Sequence, residues 1–441
     1  MKPAARQKEV SHEDGRLKIR IRLQSAALIV LNSLCLTLFL PAHGQDPVAR
    51  SSQDDSDVRA AKRKVGPSPK SPRGYRGVLL ADVNPKNAFK DEVIADLGSL
   101  GIWVYERMTW TQISGADPDW VMAVALGDTP KEDLIADLGD KGLWKWAHNG
   151  YPGDWTQISA KDAQWAVALD DDNDKRQEVH VHFGAPPGVW RYDESPRGRA
   201  WKQISSFNPY AGLRTATRPG ASEEGVYLFP GSGVWTISLE GGEIRAGQLS
   251  GTETDADDNA SARFLGGAAE DLIIDFGAKG LWLCENTEHA WHQLSDRSAD
   301  RVLPVRFGRG VQRLIIDFNG DQGLYSWTFS GFPGRLAKLH PADPDAGFCQ
   351  SFERDESDRK SNSQELAVDF GNSGLWAYDY DRRTWALINV KNPVFMAAGD
   401  YWGLGFDSTL AVSFGAEGLW LYEAKSGGWY QISNNAPDCG L

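Results

Sequence analysis

One short pattern recurs along the whole chain: an apolar strand, a turn carrying two glycines, and an aromatic strand. Leu272 to Trp282 reads Leu-Ile-Ile-Asp-Phe-Gly-Ala-Lys-Gly-Leu-Trp, and Leu366 to Trp376 reads Leu-Ala-Val-Asp-Phe-Gly-Asn-Ser-Gly-Leu-Trp. Eight copies are marked by Trp103, Trp144, Trp190, Trp235, Trp282, Tyr325, Trp376 and Trp420, separated by 41, 46, 45, 47, 43, 51 and 44 residues. A period in the mid-forties suits a four-stranded propeller blade and exceeds the helical repeat units. The expected fold is therefore all-β, a single β-propeller of about eight four-stranded blades.

Blade two shows the order within a unit: Val121 to Leu126, Asp133 to Leu138, Gly142 to Trp146, and Trp155 to Ser159. Each piece is short, rich in β-branched and aromatic residues, and bounded by Gly, Pro, Asp or Asn, and no helical period is sustained anywhere. The fourth strand carries Trp-x-Gln-Ile/Leu-Ser at Trp110, Trp155, Trp201, Trp291 and Trp429, with a degraded form at Trp385. Blades four and six lack this Trp. The first glycine of the turn sits where a tight connection wants positive φ. The repeated tryptophans alternate on one strand face and are expected to pack between blades. The unit begun at Gly77 to Val83 and the unit ended at Trp429 to Ser433 are both complete, so the ring is expected to close by packing of blade eight on blade one, with no strand exchanged.

Outside the repeat, residues 1–44 read as a signal peptide. Basic residues precede an uncharged apolar run from Ser25 to Leu40, too short to span a bilayer, and Ala42 and Gly44 suit a cleavage site. Residues 45–74 are polar and read as a disordered linker, 75–435 as the propeller, and 436–441 as a C-terminal tail. The formal net charge is −13, and loss of the basic leader makes the remainder more acidic. Such a surface repels phosphate backbones and argues against nucleic acid as a partner. The chain has four cysteines. Cys35 leaves with the leader and Cys284 takes the place of a core aromatic, so a bridge between Cys349 and Cys439 is the one sensible pairing.

On its Asp-Phe-Gly-x-x-Gly-Leu-Trp and Trp-x-Gln-Leu-Ser signatures, from about residue 75 to 435, the chain resembles the FG-GAP/VCBS class of secreted propeller repeats. The resemblance implies adhesion, recognition or an appendage of larger enzymes, and a calcium loop, Asp-x-Asp-x-Asp-Gly-x-x-Asp/Glu, between the first two strands of a blade. That pattern survives in blade three alone, where Asp170, Asp172, Asp174 and Glu178 stand in register as metal ligands, with the carbonyl of Arg176 as a further oxygen. Asn173 and Lys175 depart from it, standing where the class prefers glycine.

Asp96, Asp137, Asp275, Asp317 and Asp369 occupy equivalent places at the end of the second strand, replaced by His182, Leu228 and Ser413 in blades three, four and eight. A carboxylate repeated five times around a ring reads as a structural acceptor of turn N–H groups, not a catalyst. His180 and His182 share a strand face, a spacing open to zinc or copper, but His180 stands where Ile94, Ile135, Ile273 and Ile315 stand elsewhere and reads as packed. There is no nucleophile elbow and no phosphate-cradling glycine loop, so no catalytic residue is assigned. The expected function is a secreted or periplasmic binding or scaffolding module for a protein or glycan; the alternative is a propeller-type polysaccharide hydrolase or lyase, and a third reading is a purely structural appendage. The loops between third and fourth strands vary from blade to blade, so one or two asymmetric sites are expected. Trp120, Trp165 and Trp402 are the aromatic contacts outside the repeated positions, with packing at the entry to the first strands as the competing role for Trp120 and Trp165.

Overall fold

The computed structural model describes residues 77–438, apart from short loop segments at 87–89, 128–130, 185–187, 196–197, 217–221, 255–258, 267–268, 287, 308–310, 319, 321–322, 346–348, 354–363 and 404–406. The leader, the linker and Cys439 lie outside the described residues, as does the side chain of Cys349, and with them the disulfide expectation.

The described residues form eight four-stranded antiparallel sheets, each built from consecutive strands. The blades span 78–114, 120–159, 165–205, 211–250, 260–295, 299–340, 349–389 and 395–433. First strands neighbour first strands around the ring, so they line the axis of an eight-bladed β-propeller. Helical structure among the described residues is confined to single 3-10 turns such as Gly277–Lys279, each inside the two-glycine motif. The second glycine is the more constrained of the pair: Gly280 has φ of 80°, and a Cβ there would stand 2.2 Å from the Ser295 carbonyl oxygen.

The turn explains much of the repeat. The carbonyl of its last residue accepts both the third-strand Trp N–H and the fourth-strand Gln amide: Trp282 Nε1 and Gln293 Nε2 reach the Lys279 oxygen at 2.8 and 3.0 Å, and Trp103 and Gln112 reach Leu100 at 2.9 and 2.8 Å. The aspartate before it has the structural role expected. Asp96, Asp275 and Asp369 each accept the N–H of the glycine two residues on, at 2.8–2.9 Å.

Blades are clamped at the axis by a feature not legible as a motif. The residue before the second strand of one blade donates its N–H to, and accepts with its side chain from, the backbone following the first strand of the preceding blade. Glu132 does this to Asp82 (3.0 and 3.1 Å), Gln177 to Ala125, Glu223 to Asp170, Glu270 to Ala216, and Gln364 to Arg306. Asp91 does it to Asp400 (3.1 and 2.6 Å), across the point where the ring closes. Closure thus joins two intact sheets, and Tyr105 of blade one stacks on Tyr401 of blade eight at 5.7 Å.

The tail adds a bond that packing alone does not supply. Asp119, just before the first strand of blade two, donates its N–H to the Asp137 carbonyl; Asp438 donates in the same way to Asp96 of blade one, at 2.9 Å. After blade eight the described residues up to Asp438 therefore follow the path of an inter-blade linker and meet blade one at Asp96.

Candidate functional site

Each fourth-strand Trp bridges two blades. Its indole N–H donates to the carbonyl of the Ile or Leu three places along the same motif in the preceding blade: Trp110 to Ile432 (2.6 Å), Trp155 to Ile113 (2.6 Å), Trp201 to Ile158 (2.9 Å), Trp291 to Leu249 (3.0 Å), Trp385 to Leu339 (3.3 Å) and Trp429 to Ile388 (3.0 Å). In blades three, seven and eight its ring lies on its own blade against the Phe of the turn and the Tyr of the third strand, as Trp429 does against Phe414 and Tyr422 at 5.6 and 4.9 Å.

Strand register shows what blade four does instead. In blade eight Trp420 pairs with Gln431 and Tyr422 with Trp429; in blade four Trp235 pairs with Gln248 and Ile237 with Ala246. Ala246 therefore stands in the place of the bridging indole, and Ile204 of blade three is the residue whose carbonyl an indole there would meet. In blade six the same place is filled by Leu336, which packs on the core beside Trp327. A methyl group cannot fill what an indole fills, and a groove of about 640 Å³ opens between blades three and four.

It is lined by Ile204, Phe207, Phe229, Pro230, Trp235, Ile237 and the exposed Ala246. Ser205, Ser206, Asn208 and Ser232 supply polar groups. Phe207 is 73% exposed and meets Phe229 edge-on at 6.2 Å. The groove is thus apolar, with hydroxyls and one amide at hand, and among the described residues no ionisable side chain lines it.

The aromatic residues singled out from the sequence fall elsewhere. Trp120 and Trp165 are buried, at 3% and 1% exposure, and Trp120 donates its N–H to the Ala163 carbonyl at 3.1 Å. The correction is to the packing role: both occupy the start of a first strand, where the adjoining blade covers them, so neither lines the rim. Trp402 is half-buried, edge-on to Tyr401 at 5.0 Å and to Tyr430 at 5.5 Å, beside the closure of the ring. Phe207 and Trp235 carry the groove, and Ala246 creates it. The available signal was the missing Trp of blade four, which reads as decay of a motif until the register shows it to be a hole.

In the blade-three loop, carboxylate oxygens of Asp170, Asp172 and Glu178 lie within 4.8 Å of one another, without Asp174. Asp174 is turned onto Arg176, accepting from its backbone N–H and Nε, each at 2.9 Å. Asn173 and Lys175 take up positive φ, 62° and 74°. The Asp170 carboxylate accepts the Asp174 and Lys175 N–H groups, both at 3.1 Å, and so shapes the turn by itself. Arg191, 6% exposed, supplies the counter-charge: it lies 2.8 Å from Asp171, 3.1 Å from Asp172, 3.4 Å from Glu178 and 2.8 Å from Asp193. Burial, and then the neighbouring Asp171 carboxylate, push Glu178 up, whereas hydrogen bonds from His180 and Arg191 overcome burial and hold Asp171 well below the usual carboxylate range.

His180 completes a sealed relay. Its Nε2 lies 2.8 Å from Asp171 Oδ2 and its Nδ1 2.5 Å from the Tyr227 hydroxyl. With Asp171 ionised, Nε2–H donates to the carboxylate and the tyrosine O–H donates to Nδ1. The order Tyr, His, Asp is that of an acid–base relay, but Tyr227 is fully buried and His180 is 1% exposed, so substrate has no access to either. Cys284 is likewise fully buried, and burial pushes its thiol up to about 12, in keeping with an inert core cysteine.

No protein-family model matches the sequence, and a search of the curated proteins finds no match. Among solved structures the chain is similar to BBS1N in its complex with ARL6DN, soaked with lead, at 14% identity and a TM-score of 0.43 over 67% of this chain and 87% of that one. It is also similar to Sqt1 of Saccharomyces cerevisiae, at 9% identity and a TM-score of 0.48 over 83% and 90%.

Proposed function

We propose that this propeller is a secreted or periplasmic recognition module that binds a protein partner by taking one of the partner's aromatic side chains into the groove beside blade four. The carrying observation is the register that puts Ala246 where six other blades put an indole. In blades three, five, seven and eight that indole lies against the turn Phe, and in all six it reaches a backbone carbonyl of the preceding blade. Blade four keeps Phe229, Ile237 and the Ile204 backbone but not the ring they surround, so a Trp or Phe supplied by another chain finds a complementary surface. A glycan prefers a flat aromatic platform, and here the aromatic surface is folded into a cleft between two blades. The leader sequence supports export, and the motif likeness to FG-GAP/VCBS repeats is in keeping with a recognition role. The polysaccharide hydrolase or lyase reading loses ground because the Tyr227–His180–Asp171 relay is buried.

Calcium in the blade-three loop would be held by Asp170, Asp172 and Glu178. It would compete with Arg191 for Asp172 and Glu178, so we place its binding in the weak, millimolar range.

Indole itself is the first probe. Saturation-transfer NMR of indole with the full chain is expected to show transfer to the ring that is lost in Ala246→Trp, whose own side chain occupies the groove. Equal transfer to both proteins, or none to either, sinks the proposal.

A further inference from the structure

At the opposite end of the second strands, the third residue of the outgoing linker is a hydrogen-bond donor in blades three, five and seven and an aspartate in blades one, two and six (Asp117, Asp162 and Asp343). The aspartate closing the second strand meets the third residue of the linker that leaves its blade. In blade five that residue is Ser298, whose hydroxyl donates to Asp275 Oδ2 at 2.8 Å while the Ala299 N–H donates to the same oxygen at 2.6 Å. In blade seven it is Asn392, whose amide, turned to face the carboxylate, donates to both oxygens of Asp369 at 3.0 and 3.1 Å. In blade three the pair is His182 and Asn208, 3.2 Å apart. A buried carboxylate is thus given a donor, as its desolvation demands.

In blade two the corresponding linker residue is Asp162, which as a carboxylate donates nothing. Asp137 is fully buried; its Oδ2 accepts the Ala163 N–H at 3.2 Å, and its Oδ1 has no hydrogen-bond partner. Asp119, which precedes the first strand of the same blade, brings a third carboxylate, so that one oxygen from each of Asp119, Asp137 and Asp162 lies within 4.8 Å of the others. Asp119 and Asp162 also line an acidic cleft of about 400 Å³ whose walls include Asp117, Asp140 and Asp438, with Lys141 at its side, and Asp137 lies buried next to its Leu138.

We propose that Asp119, Asp137 and Asp162 hold a hard divalent cation, calcium in the first instance, that pins the linker between blades two and three to the end of the second strand of blade two. Three carboxylate oxygens from three separate chain segments suit an ion that takes oxygen ligands and completes its shell with water. The buried, unpartnered Oδ1 supplies the point that surface acidic clusters lack. The site is separate from the blade-three loop and from the groove, and stands whether or not the groove binds an aromatic side chain.

The test is thermal unfolding of the full chain in chelator and in millimolar calcium, magnesium or manganese, for the wild type, Asp162→Asn and Asp170→Asn. The cation is expected to raise the wild-type and Asp170→Asn midpoints well above any rise in Asp162→Asn, which keeps only the weak blade-three loop, with binding at this site weakened at least about tenfold. In chelator, Asp162→Asn is expected to melt no lower than the wild type, because its amide gives Asp137 the donor that Asn392 gives Asp369. Asp162→Ser, which copies the Ser298 arrangement of blade five, repeats the test with a smaller side chain. A wild-type midpoint indifferent to all three ions overturns the proposal and leaves the pair sharing a proton. So does a cation response kept in Asp162→Asn and lost in Asp170→Asn, which assigns the ion to the blade-three loop.

Discussion

Ala246→Trp is a large substitution that the structure expects to stabilise the protein. A fully buried Trp removes about 200 Å² from water, and in this ring most bridging tryptophans stay partly exposed, so about 100 Å² beyond the alanine is a fair share. At about 25 cal/mol per Å² this is worth about 2.5 kcal/mol. An indole N–H bond to the Ile204 carbonyl adds about 1 kcal/mol net, and freezing the side chain costs about 1 kcal/mol. Displacing Phe207 from the groove costs little, since that ring is 73% exposed already. The balance is a gain of about 2–3 kcal/mol. Urea unfolding is expected to move to a higher midpoint with unchanged slope, and Ala246→Phe, which has no N–H, to gain less by about 1 kcal/mol. A loss of stability in Ala246→Trp would refute the reasoning, because it would mean that the groove is not the vacated place of an indole.

Removing a bridging indole works in the other direction: Trp291→Ala is expected to cost about 3–5 kcal/mol in the same assay, through lost packing on Phe276 and an unpaired Leu249 carbonyl. Asp91 gives a pH signature at ring closure. Burial pushes it up to about 6 despite the Asp400 N–H bond, so its folded value lies above its unfolded one. Its stabilising contribution is present below about pH 4 and is lost as pH rises through about 6, a change of up to about 3 kcal/mol. Asp91→Asn, which keeps an acceptor for the Asp400 N–H, is expected to flatten the stability profile across that window, and parallel profiles would count against it. Deleting residues 434–441 removes the Asp438 bond to Asp96 and is expected to lower stability by about 1–2 kcal/mol without unfolding the ring.

The fold was legible because its signals repeat. Eight copies of one strand-turn-strand pattern overdetermine a propeller, and the turn glycines, the strand-end aspartates and the fourth-strand tryptophans have the structural roles their spacing implies. What the sequence hid was relational. Trp120 and Trp165 stand out as unrepeated aromatics, yet the adjoining blade buries them, which no single strand reveals. Glu132 and Glu223 belong to no motif, and their role is set by the backbone of the preceding blade, whose N–H groups their side-chain oxygens accept. Asp162 is one acidic residue among many in a linker. It becomes informative only beside Ser298 and Asn392, once the ring shows that all three meet the same strand-end position. Ala246 is the extreme case, since its meaning lies in the side chain it lacks.

The groove is tested most directly by selecting a random-peptide display library on the immobilised full chain, with Ala246→Trp as the counter-target. The account predicts that enriched peptides share one Trp or Phe anchor, and that replacing the anchor by Ala or the chain by Ala246→Trp each weakens binding at least about tenfold. Enriched peptides without an aromatic anchor, or binding as tight to Ala246→Trp as to the wild type, would contradict it.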